Sequence, residues 1–513
     1  MYEYIIILAS ELSELGDGAL KIFLVTSLCV AVVAGCDTSP PDTPAADAGF
    51  EAGAHLTIEY DGNYPTAVTL EQMHKELYFQ SAVQIALWGQ PLVAVGVAKA
   101  GMEDAGIFNT SISIAEQRAS SDNVIYTANQ ETVYAYGFTE IGDEPMVFDI
   151  APNTLGFLAD AWQRPIEDVG ITGPDKGEGG KYIMLPPGYD GETPEVGEGI
   201  FVFESPTKTI FWLQRAFVTS DQTEEDAVNI LKASSRIYPL SEGAPTEPHF
   251  VNQSTTPFYA VTRNDSMNFW YMLDTMIQLE PVQERDLAMM GLAKTVGIQK
   301  GENFAPTEEQ QVVLLRAVET AKAMMLAVGF DAQGNIKTWK GREWESAFQT
   351  QSPYFDGLGH TETHERAAFT YQAMTGAKSM VAKMVGQGSQ YQLASKDEAG
   401  EFLSGANTYK LVVPANVPIN NYWSIAVYDT ETRALIANGT PKSSTGSHLD
   451  IDLNDDGSVD LFFGPEKPEG VNEANFVLTK SGEGWFAYFR FYGPLDAYFD
   501  KTWVPNDFEN ISS

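Results

Sequence analysis

The chain runs to 513 residues, 44% hydrophobic and 12% aromatic, with 44 glycines and 27 prolines. That composition excludes a disordered or fibrous chain, and at roughly 100–200 residues per domain it suggests about three domains. Asp and Glu total 70 against 31 Lys and Arg, a formal net charge of −39, which repels phosphate backbones and excludes nucleic acid as a partner. The two cysteines, Cys29 and Cys36, both lie near the N-terminus, so the remainder has no disulfide, no thiolate metal site and no cysteine nucleophile.

Lys21 precedes an apolar run, Ile22 to Val33, that ends in Ala34-Gly35-Cys36. A positive residue, a short apolar stretch and small residues before a cleavage point make a secretory signal. The ending resembles a bacterial lipobox, which implies cleavage before Cys36 and lipidation of its thiol. A membrane-spanning anchor is disfavoured because the run is shorter than the roughly 20 residues a span needs. The segment before it carries Glu3, Glu11, Glu14 and Asp17, the wrong charge for a leader, so residues 1–19 read as a misassigned start. The expectation is an exported lipoprotein of the cell envelope, on the periplasmic side or the surface, whose partner is the lipid bilayer through Cys36. Residues 37–55, rich in Pro, Ala and Asp, read as a flexible tether.

Helical spacing of Leu77, Ala82, Ile85 and Ala86 predicts a helix from Leu70 to about Trp88. Short aromatic or β-branched strands follow at Val124–Tyr126, Thr132–Tyr136, Met146–Ile150, Lys181–Leu185, Ile200–Phe203 and Thr209–Leu213, separated by turn residues. Together, 56–218 read as a helix plus a β-sandwich. Capping-box spacing at Thr223–Asp226 and Thr307–Gln310 opens two helices, the second stopping at Gly329. Met267–Leu279 reads as an apolar helix closed by Pro281, and Glu365–Val385 as a further one. Residues 219–395 therefore read as mainly helical. From 396 to 513 strands return at Tyr409–Val413, Trp423–Tyr428, Asp450–Leu453, Ser458–Phe463 and Gly484–Tyr492, an antiparallel, jelly-roll-like sandwich. The whole is expected to be mainly β with a helical middle.

Some blocks are more specific. Trp423-Ser-Ile-Ala-Val-Tyr-Asp-Thr-Glu-Thr-Arg433, Asn454-Asp-Asp-Gly-Ser-Val-Asp-Leu-Phe-Phe-Gly-Pro465, Arg490-Phe-Tyr-Gly-Pro494 and Thr502-Trp-Val-Pro505 resemble the bacterial domain of unknown function 1214. Trp88-Gly-Gln-Pro91, Ala128-Asn-Gln-Glu-Thr-Val-Tyr134, Glu144-Pro145 and Gly179–Gly188 resemble its companion, domain of unknown function 1254. Gly297–Phe304 resembles the helical middle of the same proteins. The resemblance spans about residues 70–510 and implies a β-sandwich, a helical domain and a jelly roll. It implies no particular reaction. One departure is Asn129-Gln-Glu-Thr, where Asn-x-Asp-Thr is more usual.

Candidate chemistry is sparse. His360 and His364 stand four apart and would share one face of a helix, with Asp356 or Glu365 to complete a zinc shell. The order is neither His-Glu-x-x-His nor its inverse, and exposed histidines at a helix start are the simpler reading. Asp452, Asn454 and Asp456 match the opening of a calcium loop, but Phe463 holds the twelfth position, and a hairpin turn accounts for them. No cofactor is evident beyond these two metal candidates. Arg490 shares a strand face with Phe486, Tyr488 and Tyr492 by two-residue alternation, and a charge there must be paired or line a ligand cleft. Arg433 is expected to meet it. Asn129, Tyr134, Trp423 and Trp503 complete the candidates for a site that takes a small molecule or glycan. Two functions follow: a hydrolase-like envelope enzyme acting on a polar or carbohydrate-like molecule, or a non-catalytic ligand-binding lipoprotein. A buried carboxylate with a raised pKa, or a bound metal, in the cleft would favour the enzyme, and a cleft of aromatics and amides the binder. The sheet edges leave a homo-oligomer open.

Overall fold

The computed structural model describes residues 57–219, 222–256, 259–332, 336–374 and 376–512. The signal, the Cys36 lipidation site and the tether through 55 lie outside the described residues. Two compact units divide after Glu76. In the first, Tyr60–Asp61 pairs with Tyr64–Pro65 across Gly62, and the Thr66 hydroxyl accepts the Thr69 backbone N–H at 3.3 Å where helix α1, Ala67–Asp104, begins.

Everything else belongs to the second unit, Leu77–Ser513. There α1 continues well past Trp88, where the sequence pattern ends it. Pro91 normally costs a helix one backbone bond. Here the apolar stretch of the helix is 89% buried, and packing outweighs that loss. By length and composition α1 could cross a membrane. Gly96 sets its approach to a neighbouring helix: a Cβ there would fall 2.6 Å from Met272 Sδ.

Strands β1 (Ile112–Ile114), β2 (Thr132–Glu140), β3 (Met146–Ile150), β4 (Thr154–Asp160), β5 (Pro165–Gly170), β6 (Gly180–Leu185), β7 (Ile200–Glu204), β8 (Thr209–Phe217), β9 (Arg236–Pro239) and β10 (Phe250–Asn252) form two sheets. Their orders are β10-β1-β2-β8-β4-β5 and β9-β3-β6-β7. Val133, Ala135, Phe148, Leu158, Tyr182, Ile210, Trp212 and Ala216 interdigitate between them, with Ala227 and Leu231 of α2 (Glu224–Ser234) on the same core. The Val124–Tyr126 segment makes only an isolated bridge, Val124 to Tyr259. Strands β9 and β10 lie beyond residue 219 yet pair into these sheets.

Between the β regions run α3 (Asn268–Leu279), α4 (Leu287–Thr295) and α5 (Glu308–Phe330). Both capping boxes form: Thr223 with Asp226, and Thr307 with Gln310. Helix α5 ends at Phe330, one residue past the stop expected at Gly329, and the Gly329 carbonyl accepts from Nε2 of Gln372 in α6 (Thr363–Gln372) at 3.3 Å. The helix expected over Glu365–Val385 is broken into α6 and the single turn α7 (Lys378–Val381).

The C-terminal sheets use β11 (Glu345–Ser346), β12 (Ser389–Ala394), β13 (Tyr409–Val413), β14 (Trp423–Asp429), β15 (Ser444–Gly446), β16 (Val459–Gly464), β17 (Phe476–Leu478), β18 (Trp485–Tyr492) and β19 (Glu509–Asn510). Their orders are β11-β12-β18-β14-β15 and β17-β16-β13-β19. Ile425, Val427, Phe489 and Phe491 of one sheet pack on Leu411, Leu461 and Phe463 of the other. Asp450–Leu453 is not a strand. With 26% helix and 27% strand the chain is a mixed fold with sandwich-like sheets, not a mainly β one. The helices α1 and α5 alone are long enough to shift that balance.

Candidate functional site

Several strands are apolar or aromatic on both faces, and this places the site. Along β2, Val133 and Ala135 enter the sandwich core while Tyr134, Tyr136 and Phe138 point the other way. On β8, Ile210 and Trp212 enter it while Phe211, Leu213 and Arg215 point away. On β18, Phe489 and Phe491 enter the C-terminal core, leaving Tyr488 and Arg490 on the opposite face. These second faces line one chamber, with Tyr391 of β12, the 125–129 loop and the C-terminal part of α1 completing its wall. It holds about 840 Å³ of empty space, part of it open to solvent. That is a size suited to a small molecule.

Arg215 and Arg490 carry the formal charges among the lining residues; among the described residues no Asp, Glu, Lys or His lines the wall. Arg490 is 3% exposed and stands opposite Tyr391 and Ser424 in the sheet register. Its Nη2 donates to the Thr127 carbonyl at 2.7 Å, and its carbon Cζ lies 5.5–5.8 Å from the rings of Tyr391, Tyr428 and Tyr488. Its Nε and Nη1 are buried without an acceptor, as is Nε of Arg215. Arg215 Nη1 donates to the Tyr391 hydroxyl at 3.4 Å. Burial by itself would raise the Tyr391 phenol, but the adjoining guanidiniums of Arg215 and Arg490 outweigh it and hold the phenol below the ordinary tyrosine value. Burial pushes the Tyr488 phenol up.

Asn129 and Tyr134 line the chamber, as the sequence suggested, but the Asn129 amide is engaged. Its Oδ1 accepts the Glu131 and Thr132 backbone N–H groups at 3.2 and 3.1 Å, and its Nδ2 donates to the Tyr492 hydroxyl at 3.0 Å. It is a turn residue that ties the N-terminal sandwich to β18. Glu131, the departure noted in the sequence, is 1% exposed, with both carboxylate oxygens lacking a partner. Its field acts on Arg490, Tyr422 and Tyr492.

Arg433 does not meet Arg490 directly. It is wholly buried, stacks 4.1 Å from the Tyr371 ring centre, and donates to the carbonyls of Tyr371, Glu431 and Thr262. The two arginines share Thr127, whose N–H donates to the Arg433 carbonyl at 2.9 Å and whose φ of +38° lies in the left-handed region. Trp423 and Trp503 are on the far side of the sheet, in the C-terminal core; the Trp503 indole donates to the Ala415 carbonyl at 3.2 Å.

The metal candidates separate. His360 sits in a two-residue strand, not on a helix, with its Nε2 on Glu362 at 2.9 Å; His364 lies in α6. Asp356 is held by Arg164 at 3.0 Å, and Glu365 accepts the Thr350 N–H at 2.9 Å. Asp452 accepts from Asn472, Asn454 donates to Ser458 and Asp460, and Asp456 accepts twice from Ser458, the bonding of a turn. Among the described residues no three His, Cys, Asp or Glu gather to hold a metal ion.

Residues 108–239 match DUF1254, a protein of unknown function, and residues 388–496 match DUF1214, also of unknown function. The order is DUF1254 followed by DUF1214. In fold the chain is similar to the VPA0106 protein from Vibrio parahaemolyticus, at 15% identity and a TM-score of 0.51 over 85% of this chain and 100% of that one. An uncharacterised protein from Burkholderia cenocepacia also matches, at 11% identity and a TM-score of 0.39 over 86% of this chain and 97% of that one. Among curated proteins none matches. The chamber draws on both domains: DUF1254 contributes the 125–138 wall and Arg215, and DUF1214 contributes Tyr391, Tyr488 and Arg490. Arg215 and Tyr391 were not singled out in the sequence. The signal for Arg215 was the one used for Arg490, a lone charge on an aromatic strand. Tyr391, in Ser389-Gln-Tyr-Gln-Leu, carried none.

Proposed function

We propose that this is a binding protein of the cell envelope whose chamber takes a small organic anion, a carboxylate on an apolar or aromatic body. The observation that carries the reading is the set of buried, acceptorless N–H groups on Arg490 and Arg215 in a wall with no acid. Each unmatched buried donor costs about 1–3 kcal/mol, more when charged, and an entering carboxylate would accept from both guanidiniums in short, charge-assisted bonds. Tyrosine and phenylalanine rings supply the apolar remainder.

The hydrolase reading draws no such support. A glycosidase-type pair needs two carboxylates beside the ligand, and the lining offers neither these nor a nucleophile with an adjoining base. The test is calorimetry of the full mature chain with benzoate, phenylacetate and hexanoate against their uncharged amides. Binding of the acids but not the amides is expected; equal binding of both would overturn the reading. Anchorage at Cys36 is part of the same proposal, tested by mass spectrometry of the exported chain: an unmodified Cys36 would remove it.

A further inference from the structure

Resting on the anion reading, the strand register says what kind of body the anion carries. β2 and β8 are neighbours, and their chamber-facing residues stand opposite one another in three rungs: Tyr134 with Arg215, Tyr136 with Leu213, and Phe138 with Phe211. Polarity falls along this ladder in one direction. At the first rung Arg215 reaches the Tyr391 hydroxyl, and Tyr391 stands opposite Arg490 on the next strand. At the third, the Phe138 and Phe211 rings stack 4.9 Å apart, and the lining of both strands stops there. Arg215 and Phe211 are four positions apart on β8, a span of about 14 Å at about 3.4 Å per residue. A carbon–carbon bond of about 1.5 Å advances an extended chain by about 1.3 Å. With room taken by the guanidinium at one end and the ring at the other, the span accommodates about eight to ten carbons.

The phenols along the wall are already committed. Tyr126 bonds to the Thr262 hydroxyl at 2.9 Å, Tyr136 donates to Gln253 at 3.1 Å, Tyr488 donates to Gln372 at 3.3 Å, and the Tyr134 oxygen accepts the Asn129 N–H at 3.3 Å. Among the described residues, the lining side chains with buried, partnerless donors are Arg215 and Arg490, both at the first-rung end. The opposite wall adds Met102 of α1, Phe369 of α6 and Met374, and methionine side chains mould to a flexible hydrocarbon. We infer that the ligand is a straight-chain carboxylate of about eight to ten carbons, its head at Arg215 and Arg490 and its tail lying along the β2–β8 ladder to Phe138 and Phe211. A polar group at the tail end would be buried without a partner, which is costly, and a single-ring acid would fill only the first part of the span.

The experiment is calorimetry of the full mature chain with hexanoate, octanoate, decanoate, dodecanoate and tetradecanoate, each below its micellar concentration. Benzoate, octanamide and the ω-hydroxy derivative of octanoate are run beside them. Affinity should rise about fourfold with each added methylene from hexanoate to octanoate and gain nothing beyond decanoate. The hydroxy acid should bind at least about tenfold more weakly than octanoate. Phe211→Leu, which shortens the side chain at the tail end, should move the optimum to a longer acid. Affinity that does not rise from hexanoate to octanoate, that keeps rising through tetradecanoate, or that favours benzoate over octanoate would overturn the inference and leave the anion reading standing. So would a hydroxy acid that matches octanoate, or a folded Phe211→Leu with an unmoved optimum. Octanamide binding as tightly as octanoate, or no binding of any acid, would sink the anion reading and the head-group assignment with it.

Discussion

Arg433 and Arg490 are both buried and both bonded to Thr127, and they do different work. Around Arg433 the guanidinium is enclosed by carbonyls and two tyrosine rings, and no pocket-facing donor remains. Around Arg490 the Thr127 carbonyl accepts from Nη2, while Nε and Nη1 are buried without an acceptor. Burial of a charge is thus a poor sign of a binding site. What separates the two regions is whether the protein itself completes the hydrogen bonding.

The largest effect expected from that contrast is at the satisfied arginine. Arg433→Ala should cost about 3–5 kcal/mol of stability, because carbonyls of three segments lose their donor together; urea unfolding measures it, and a loss below about 1 kcal/mol would break the comparison. Arg490→Met should do the reverse: binding of benzoate lost, stability within about 1 kcal/mol of wild type or above it, since an apolar side chain relieves unmatched donors. A variant that unfolds while Arg433→Ala does not would invert the assignment of the two regions.

A smaller effect concerns pH. Burial holds the His448 imidazole below its ordinary value, so the unfolded chain binds that proton more readily than the folded one. Stability should therefore rise with pH through the window between the lowered folded value and the ordinary imidazole value, and fall as pH drops through it. His448→Gln should flatten that slope in urea midpoints taken across the window; an unchanged slope would place the titration elsewhere. The smallest effects belong to His360→Ala and Asp452→Ala. Both lie on the surface and should leave stability within about 0.5 kcal/mol and benzoate affinity unaltered, while metal analysis of the purified variants tests the zinc and calcium readings directly.

Local physics was legible residue by residue. The capping boxes at Thr223 and Thr307, the strands Met146–Ile150 and Trp423–Asp429, and the two faces of Trp485–Tyr492 follow from spacing that a chain segment carries within itself. Alternation could say that Arg490 and Tyr488 share a face and that Trp423 is an aromatic strand residue. It could not say which face of a doubly apolar strand meets the other sheet of its sandwich, so Trp423 and Trp503 fell to the core and Tyr391 to the chamber. Likewise the end expected at about Trp88 was a local reading, and burial of the apolar stretch carries α1 through Pro91 to Asp104.

Composition, charge, domain order and the periodicity of most elements were properties of the sequence alone, because each depends on residues close together in the chain. The meeting of Arg215, Tyr391 and Arg490 was decided by tertiary structure. These residues come from strands far apart in the chain, and the pairing of β12 with β18 and the approach of β8 are long-range contacts that no local pattern encodes. The unmatched donors of Arg215 and Arg490 exist only after that assembly has buried both arginines.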